Sequence, residues 1–571
     1  MNHQRGLYSN GYTVMYAAMP NVPRSASCVR DCGDQDAELF FDDERKWKRL
    51  PSPVDWEKYT SSSVRPTKAP ACESPEMDAI ATTKEEDHAS KTTETKMRLS
   101  FTYHVQSACE RVRFAFCYPY PYTKLSRQLD SFDRIHGSKM QASDVVDNSQ
   151  EEATSACGLF YHRQVLTHSL GGLPIELVTI SSRDHLVDSL PGAPTEFDVS
   201  KKRTVIISAR VHPGETPASF MLDGMFSLLL HPTDPSALAL RRSFVFKIIP
   251  MLNPDGVCQG YYRTDTRGVN LNRVYDNPDA TQEPAIAATR DLLLDTVDRY
   301  RHAGRDKDEV VYLDLHAHSN HRGGFVYGNW LVPRDCDLRS PRVLTRQVET
   351  QLFAKLCSLN SPFFDYNACS FDAANMTRRD ARSNNNSQAD AGPTTREGCS
   401  RVALHHATGL TYIYTIECNY NEGRRRVEMS SSGKLIGASN QDSRRSMSTP
   451  ERGSCAGRLQ RHVASSGGRI FMKFSPLEWA DVGIGALLSL LDLFALPGRT
   501  TAVASSPFRT LDGVKKSILV ELQERAGVDV KTSASQGGTV AVSTKTNRGG
   551  GKSNQKGLKV QQTKQANPCV V

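Results

Sequence analysis

Three strongly apolar runs, each followed by a metal-binding or acidic side chain, constrain the fold of this 571-residue chain more than any other feature. The runs are residues 204–208, 310–315 and 412–416. His212, His316 and Glu417 lie at or just beyond their ends. Helical segments separate the runs, and strands that alternate with helices predict an α/β domain. Ligands of such domains gather at the carboxyl ends of strands, so we expect the three side chains to meet.

Two short peptides supply the donors of a metal site, His212-Pro-Gly-Glu215 and Leu315-His316-Ala-His318. Two imidazoles and one carboxylate form the ligand set of a catalytic zinc ion that keeps one position for water. The His-x-x-Glu spacing alone is a weak signal, since a His212 that stood alone would be better explained as a capping or packed core histidine. The Pro-Gly turn favours the metal, because it can fold both side chains toward one point. Glu417 would then be a base for that water, and hydrolysis is the first hypothesis.

A loop between these peptides carries a second candidate function. Asn272 and Arg273 are adjacent in it, and together they can grip a carboxylate through charge-assisted hydrogen bonds. The alternative is a surface loop whose arginines are only solvated.

Composition limits the classes of partner. The formal charge of +8 favours acidic partners without choosing among them. Fourteen cysteines are too dilute for a disulfide scaffold and indicate a reducing compartment. The start of the chain lacks the apolar core of a signal peptide, and the longest apolar stretch, residues 482–496, is too short to cross a bilayer. We therefore expect a cytoplasmic protein that binds neither a membrane nor nucleic acid.

The pattern of apolar and polar residues along the chain predicts three regions. Alternating apolar and polar residues between about 98 and 182 are typical of strands, and they place an all-β domain at residues 1–190 with a solvated insertion at about 60–97. The α/β domain occupies residues 191–500, with flexible polar insertions at about 377–400 and 424–468. Residues 501–571 are predicted to form a short helix followed by a disordered basic tail.

Five motifs, in order, resemble the cytosolic carboxypeptidases, zinc enzymes that trim glutamates from tubulin and related proteins. They are His212-Pro-Gly-Glu215, Asn253-Pro-Asp-Gly-Val257, Tyr262-Arg-Thr-Asp-Thr-Arg-Gly-Val-Asn-Leu-Asn-Arg273, Asp314-Leu-His-Ala-His318 and Tyr414-Thr-Ile-Glu-Cys-Asn-Tyr420. Phe114-Ala-Phe-Cys-Tyr-Pro-Tyr-Pro-Tyr-Thr123 also looks like the β-sandwich domain of that family. Residues 263–273 and 359–365 most resemble the subtype that removes branch-point glutamates. The resemblance covers roughly residues 5–495, with gaps at the polar insertions.

The resemblance implies an α/β zinc carboxypeptidase domain, with a mixed central sheet flanked by helices, preceded by an all-β sandwich domain. Residues 7–16 resemble a segment from inside that sandwich, so we expect the sandwich to be incomplete at its start.

The resemblance also assigns a role to each matching residue. It makes His212, Glu215 and His316 the ligands of one Zn²⁺ ion and Glu417 the general base and acid. Arg263 would polarise the scissile carbonyl, and Asn272 with Arg273 would bind the terminal carboxylate of the substrate. The cation that selects glutamate is predicted to be Arg401, with His406 as the competing candidate.

Three functions remain open at this point. The first is a zinc deglutamylase that acts on polyglutamylated tubulin, microtubules or other acidic protein tails, and that associates with the microtubule cytoskeleton, a cilium or a flagellum. The second is a catalytically silent microtubule-binding protein, although every inferred ligand and the Glu417 base are present. The third is a zinc amidohydrolase for small N-acyl amino acids, which the large β-domain and long insertions disfavour.

Overall fold

The computed structural model describes residues 5–19, 43–63, 92–107, 110–137, 158–187, 196–333, 336–379, 395–426 and 469–527. The predicted basic tail lies outside these ranges. Among the described residues, no helix is both long enough and apolar enough to cross a bilayer.

The described residues before 138 form two small sheets and two helices. The strands are β1 (Met15–Met19), β2 (Lys48–Arg49), β3 (Asp55–Ser63), β4 (Thr92–Ser100) and β5 (Arg111–Ala115), and the helices are α1 (Arg5–Ser9) and α2 (Tyr122–His136). One sheet has the order β2-β1-β5, and the other is the β3-β4 pair. The predicted β sandwich stays a prediction. Helix α2 departs from an all-β pattern because Leu125 and Leu129, one helical turn apart, bury one face of this segment.

Strands from residue 159 onward build the central sheet and two short pairings, β8-β9 and β15-β16. They are β6 (Leu159–His168), β7 (Pro174–Ser182), β8 (Leu186–Val187), β9 (Glu196–Phe197), β10 (Arg203–Ala209), β11 (Phe244–Ile249), β12 (Val310–His318), β13 (Gly324–Tyr327), β14 (Ile413–Asn419), β15 (Glu422–Arg426) and β16 (Arg469–Lys473). Seven of them hydrogen bond in the order β13-β14-β12-β10-β11-β7-β6. The four central strands are parallel, whereas β13, β7 and β6 run antiparallel to their neighbours. The predicted mixed sheet is confirmed.

Helices cover both faces of this sheet. The helices are α3 (Thr216–Leu229), α4 (Pro235–Ser243), α5 (Pro254–Cys258), α6 (Pro284–His302), α7 (Pro341–Asn360), α8 (Ala373–Thr377), α9 (Ser400–Thr408), α10 (Pro476–Leu493), α11 (Ala502–Ser505) and α12 (Leu511–Arg525). Short 3-10 turns lie at Glu44–Lys46, Leu271–Arg273, Lys307–Glu309, Tyr366–Ala368 and Arg396–Gly398. Val205 and Ile207 pack in the core that includes α3, α7 and α10, and Ile206 packs in the core that includes α6. Strands buried on both faces explain the continuous apolar runs.

The boundary predicted at residue 190 divides the central sheet. Strand β7 pairs with β11, with Lys247 opposite Thr179, and β6 pairs with β7. Both strands precede residue 190 and yet belong to the α/β domain. The prediction was wrong because alternation identifies a strand but does not identify the sheet that the strand joins.

The polar insertions begin and end in regular structure. The ends of the first one pair as β3 and β4, with Asp55 opposite Ser100, so the predicted insertion at 60–97 includes strand residues. The ends of the third pair as β15 and β16, with Glu422 opposite Lys473. Residues 64–91, 380–394 and 427–468 lie outside the described ranges. The helix predicted after residue 500 is present as α12.

Candidate active site and metal centre

Three neighbouring parallel strands bring the candidate residues to one edge of the sheet. In the register of β12 and β14, His316 lies opposite Glu417. Strand β10 pairs with β12 on the other side and ends at Ala209, three residues before His212. Glu215 occupies the N-cap position of α3. The strand ends therefore converge as the sequence predicts.

His212, Glu215 and His316 form a compact cluster of metal donors. One ligand atom from each lies within 4.8 Å of the others, and all three residues are buried. The Nδ1 atom of His212 lies 2.8 Å from Oε1 of Glu215, and Nδ1 of His316 lies 2.9 Å from Oε2. Both imidazoles thus turn the same nitrogen toward the carboxylate. This donor set fits Zn²⁺ with one coordination position left over.

The other nitrogen of each imidazole, Nε2, contacts a polar side chain on the side away from Glu215. Nε2 of His212 lies 3.0 Å from Oδ1 of Asn270, and Nε2 of His316 lies 2.9 Å from Oδ2 of Asp314. Partners of this kind fix the orientation of a ligand histidine. Asp314 in turn accepts hydrogen bonds from Ser208 Oγ at 2.9 Å and Ser400 Oγ at 2.5 Å. Asn270 and Asp314 carry no role in the sequence-based expectations, although the spacing of Asp314 and His316 already places them on one strand face.

Electrostatics keep the first imidazole neutral, as a metal ligand must be. Burial lowers the pKa of His212 to about 4, and the charge of Arg263 acts in the same direction. Burial alone would raise the pKa of Glu215, but the imidazoles of His212 and His316 lower it well below its usual value. Burial would lower the pKa of His316, but the charges of Asp314 and Glu215 raise it well above its usual value, so a metal ion bound there would displace a proton.

Glu417 is a buried carboxyl group whose pKa lies near neutral pH. Burial raises its pKa to about 7, an effect that His316 opposes and Glu215 reinforces. Its Oε2 atom has no hydrogen-bond partner among the described residues. A base with a pKa close to the working pH is effective in proton transfer. Glu417 lies opposite the metal donor His316 in the sheet, and its burial suits the predicted role of a base.

Arg263 and Asn272 lie next to the cluster. Nη1 of Arg263 is 3.7 Å from Oε1 of Glu215, and its side chain is 23% exposed. Nδ2 of Asn272 lies 3.4 Å from Nε2 of His316, while its Oδ1 accepts the backbone N–H of Ser400 at 3.0 Å. Arg273 follows directly and donates to the carbonyl of Asn272. The structure therefore places Arg263 and Asn272 next to the metal donors, and Arg273 follows Asn272 in the chain.

Arg401 has a different environment from the one expected of a glutamate-binding cation. It is 2% exposed, and its guanidinium donates to the carbonyl of Gly328 at 2.7 Å and to the side chain of Asn329. These bonds already use part of its donor capacity. His406, the competing candidate, is exposed in the last turn of α9 beside His405.

Arg396 is a cation of this region that the sequence analysis missed. It is half-buried and lies over the ring of Tyr327, with its guanidinium carbon 5.6 Å from the ring centroid. It also donates to Oδ1 of Asn375, and its charge lowers the pKa of Glu417. No local pattern distinguishes Arg396 from the other arginines near the second polar insertion.

Comparison with known proteins identifies the class. The family model described as zinc carboxypeptidase matches residues 146–457, more than half of the chain. The chain therefore belongs to the zinc carboxypeptidase family.

Its relatives are cytosolic carboxypeptidases, as the motifs predict. Cytosolic carboxypeptidase-like protein 5 is 35% identical in Bos taurus and 33% identical in Homo sapiens over 421 residues, which cover 58% of this chain and 44% of each relative. Cytosolic carboxypeptidase 6 of Mus musculus is 30% identical over 274 residues, covering 48% of this chain and 42% of that protein. The chain thus spans less than half the length of the curated relatives that it matches.

Proposed function

We propose that this chain is a zinc-dependent metallocarboxypeptidase that removes glutamate from polyglutamylated tubulin and similar acidic protein tails. The observation that carries the proposal is the convergence of His212, Glu215 and His316 on one point, with the Glu417 carboxyl group on the adjoining strand. A silent binding protein would have no need for a buried base beside three metal donors.

The mechanism assigns one step to each side chain. One Zn²⁺ ion held by the three donors would supply a Lewis acid and make a water molecule acidic near neutral pH. Glu417 accepts the proton of the attacking water and returns it to the departing amine. Arg263 donates to the carbonyl oxygen as negative charge develops there. Asn272 and Arg273 bind the terminal carboxylate, which restricts the enzyme to chain ends.

The preference for glutamate rests on local positive charge. The charge of Arg396 lowers the pKa of Glu417, and both Arg396 and Arg401 donate to Oδ1 of Asn375. A second carboxylate on the terminal residue would be attracted to this pair, and Arg396 is the more accessible of the two. The positive charge of the whole chain would also accelerate encounters with polyanionic tails.

On this proposal the partners are polyglutamylated tubulin or microtubules. The place of action would be the cytoplasm, in association with the microtubule cytoskeleton, a cilium or a flagellum. The word cytosolic in the names of the relatives supports the first part.

The decisive experiment offers the purified chain three synthetic tubulin-tail peptides. One carries a single branch glutamate, one a glutamate side chain of several residues, and one only a gene-encoded glutamate terminus. Release of glutamate is read by mass, with and without a chelator, and with Glu417→Gln as the control. Chelator-sensitive mass loss from any of the three supports the proposal, and the pattern identifies the preferred linkage. No release of glutamate from any of the three peptides, with zinc fully bound, would contradict it.

A further inference from the structure

A buried arginine stands directly before the metal-binding loop. Arg210 follows the last residue of β10 and precedes His212 by two positions. It is 2% exposed, and its backbone φ of 58° lies in the left-handed region. Residues other than glycine keep such a conformation only where the surrounding structure enforces it, commonly at functional sites.

The guanidinium of Arg210 makes four hydrogen bonds within the described part of the chain, all to neutral oxygen atoms. Nε and Nη2 donate to the carbonyl of Pro213 at 3.1 and 2.5 Å. Nη1 donates to Ser219 Oγ at 3.0 Å and to the carbonyl of Tyr120 at 3.1 Å. Burial lowers its pKa to about 10, so the group remains charged at neutral pH. The planar fork of an arginine suits this pattern, and a lysine cannot reproduce it.

These bonds fix the turn that joins two metal ligands. The carbonyl of Pro213 lies between His212 and Glu215, so holding it determines where both side chains point. The next residue is also held, since the N–H of Gly214 donates to the carbonyl of Tyr262 at 2.9 Å. The proline ring packs against Gly256, where an added Cβ would lie 2.4 Å from Cγ of Pro213. The turn is therefore restrained on three sides.

We propose that Arg210 is a positioning residue that presets the His212–Glu215 turn for metal binding. Through the carbonyl of Tyr120 it also ties this turn to the segment that precedes α2, so the geometry of the metal site depends on the N-terminal part of the chain. The inference rests on the proposed zinc function. It goes beyond that function by assigning metal affinity to a residue that touches neither metal nor substrate.

The test compares Arg210→Lys and Arg210→Gly with the wild-type chain. Lysine keeps the charge and loses the fork, whereas glycine relieves the left-handed backbone and removes the side chain. Zinc affinity of the purified full chain is measured by competition with a coloured chelator, and thermal unfolding of the zinc-free protein is recorded in parallel. We expect the dissociation constant for zinc to rise roughly 10- to 100-fold in both variants, as for other groups that orient metal ligands.

Arg241 provides a matched control. It is also fully buried, and it donates to the carbonyls of Leu229 and His231 at 2.7 and 2.9 Å. These carbonyls lie at the far end of α3, about 20 Å from Glu215 at the helical rise of 1.5 Å per residue. Arg241→Lys should lower thermal stability and leave zinc affinity unchanged.

The outcomes separate the inference from the proposed function. A wild-type chain that does not bind zinc would refute the proposed function itself. Folded Arg210 variants whose zinc affinity stays within threefold of the wild type, or an equal loss in Arg241→Lys, would overturn the positioning role. If neither Arg210 variant folds, Ser219→Ala decides, because it removes one anchor of Nη1. An unchanged zinc affinity in that variant would count against the inference, and a loss of about threefold or more would support it.

Discussion

Replacing Asp314 by asparagine should weaken zinc binding while leaving the fold intact. The carboxylate of Asp314 lies 2.9 Å from Nε2 of His316 and is one of the charges that oppose the effect of burial on the pKa of that imidazole. Asparagine preserves the shape and one acceptor oxygen but removes the charge. The hydroxyls of Ser208 and Ser400 can rotate to accommodate the new amide, so the packing should survive.

The expected magnitude follows from the role of such partners. Removing a group that orients a ligand histidine costs about 10- to 100-fold in metal affinity. This corresponds to about 1.4–2.7 kcal/mol of binding free energy. We expect the effect to lie toward the upper end, because Asp314 is fully buried and solvent cannot replace the lost charge.

The assay is chelator competition at fixed pH, with thermal unfolding of the zinc-free protein as a measure of the fold. Asp492→Asn is the control, since Asp492 is also buried and accepts hydrogen bonds from Asn360 at 2.8 Å and Thr500 at 2.8 Å, in a helix away from the metal donors. Zinc affinity in Asp314→Asn equal to that of the wild type, or a similar loss in Asp492→Asn, would show that Asp314 does not act through His316.

Three further predictions concern the base, the specificity cation and the core. Glu417→Gln should retain zinc and lose about 100- to 10,000-fold in turnover, and near-normal turnover with zinc bound would remove Glu417 from the mechanism. Arg396→Ala should raise KM for a glutamate-ended peptide about tenfold or more, as expected for a lost bond to a charged group, and exposed Arg379→Ala serves as the comparison. Gly483→Ala should lower the free energy of unfolding by about 1–3 kcal/mol in denaturant titrations, because its Cβ would lie 2.1 Å from the carbonyl oxygen of Met221 in α3. Gly137→Ala, whose Cβ would meet nothing closer than 3.8 Å, should be neutral, and equal effects of the two would refute the packing argument.

The metal donors were predictable because their positions follow from local patterns. An apolar run that ends in a polar residue predicts a strand end, and parallel strands share one edge of the sheet. The pairing of His316 with Glu417 across β12 and β14 realises this expectation. The same logic fails for β6 and β7, since the pattern of a strand does not identify the sheet that the strand joins. The position of these strands depends on contacts with β11, which no short segment of sequence contains.

Residues that support the site depend on long-range contacts, and this explains what the sequence did not reveal. Asn270 meets His212 across 58 residues, and Arg210 meets the carbonyl of Tyr120 across 90. Arg401 is a residue to which the sequence assigned a role that its environment does not favour. It was expected to face the substrate because it is a cation close to the Glu417 strand. The start of α9 is instead packed inward, with Ser400 bonded to Asp314, so the next residue is buried and bonds to Gly328. Arg396 lies before this helix and keeps part of its surface exposed, which makes it the better candidate for reading the charge of a substrate side chain.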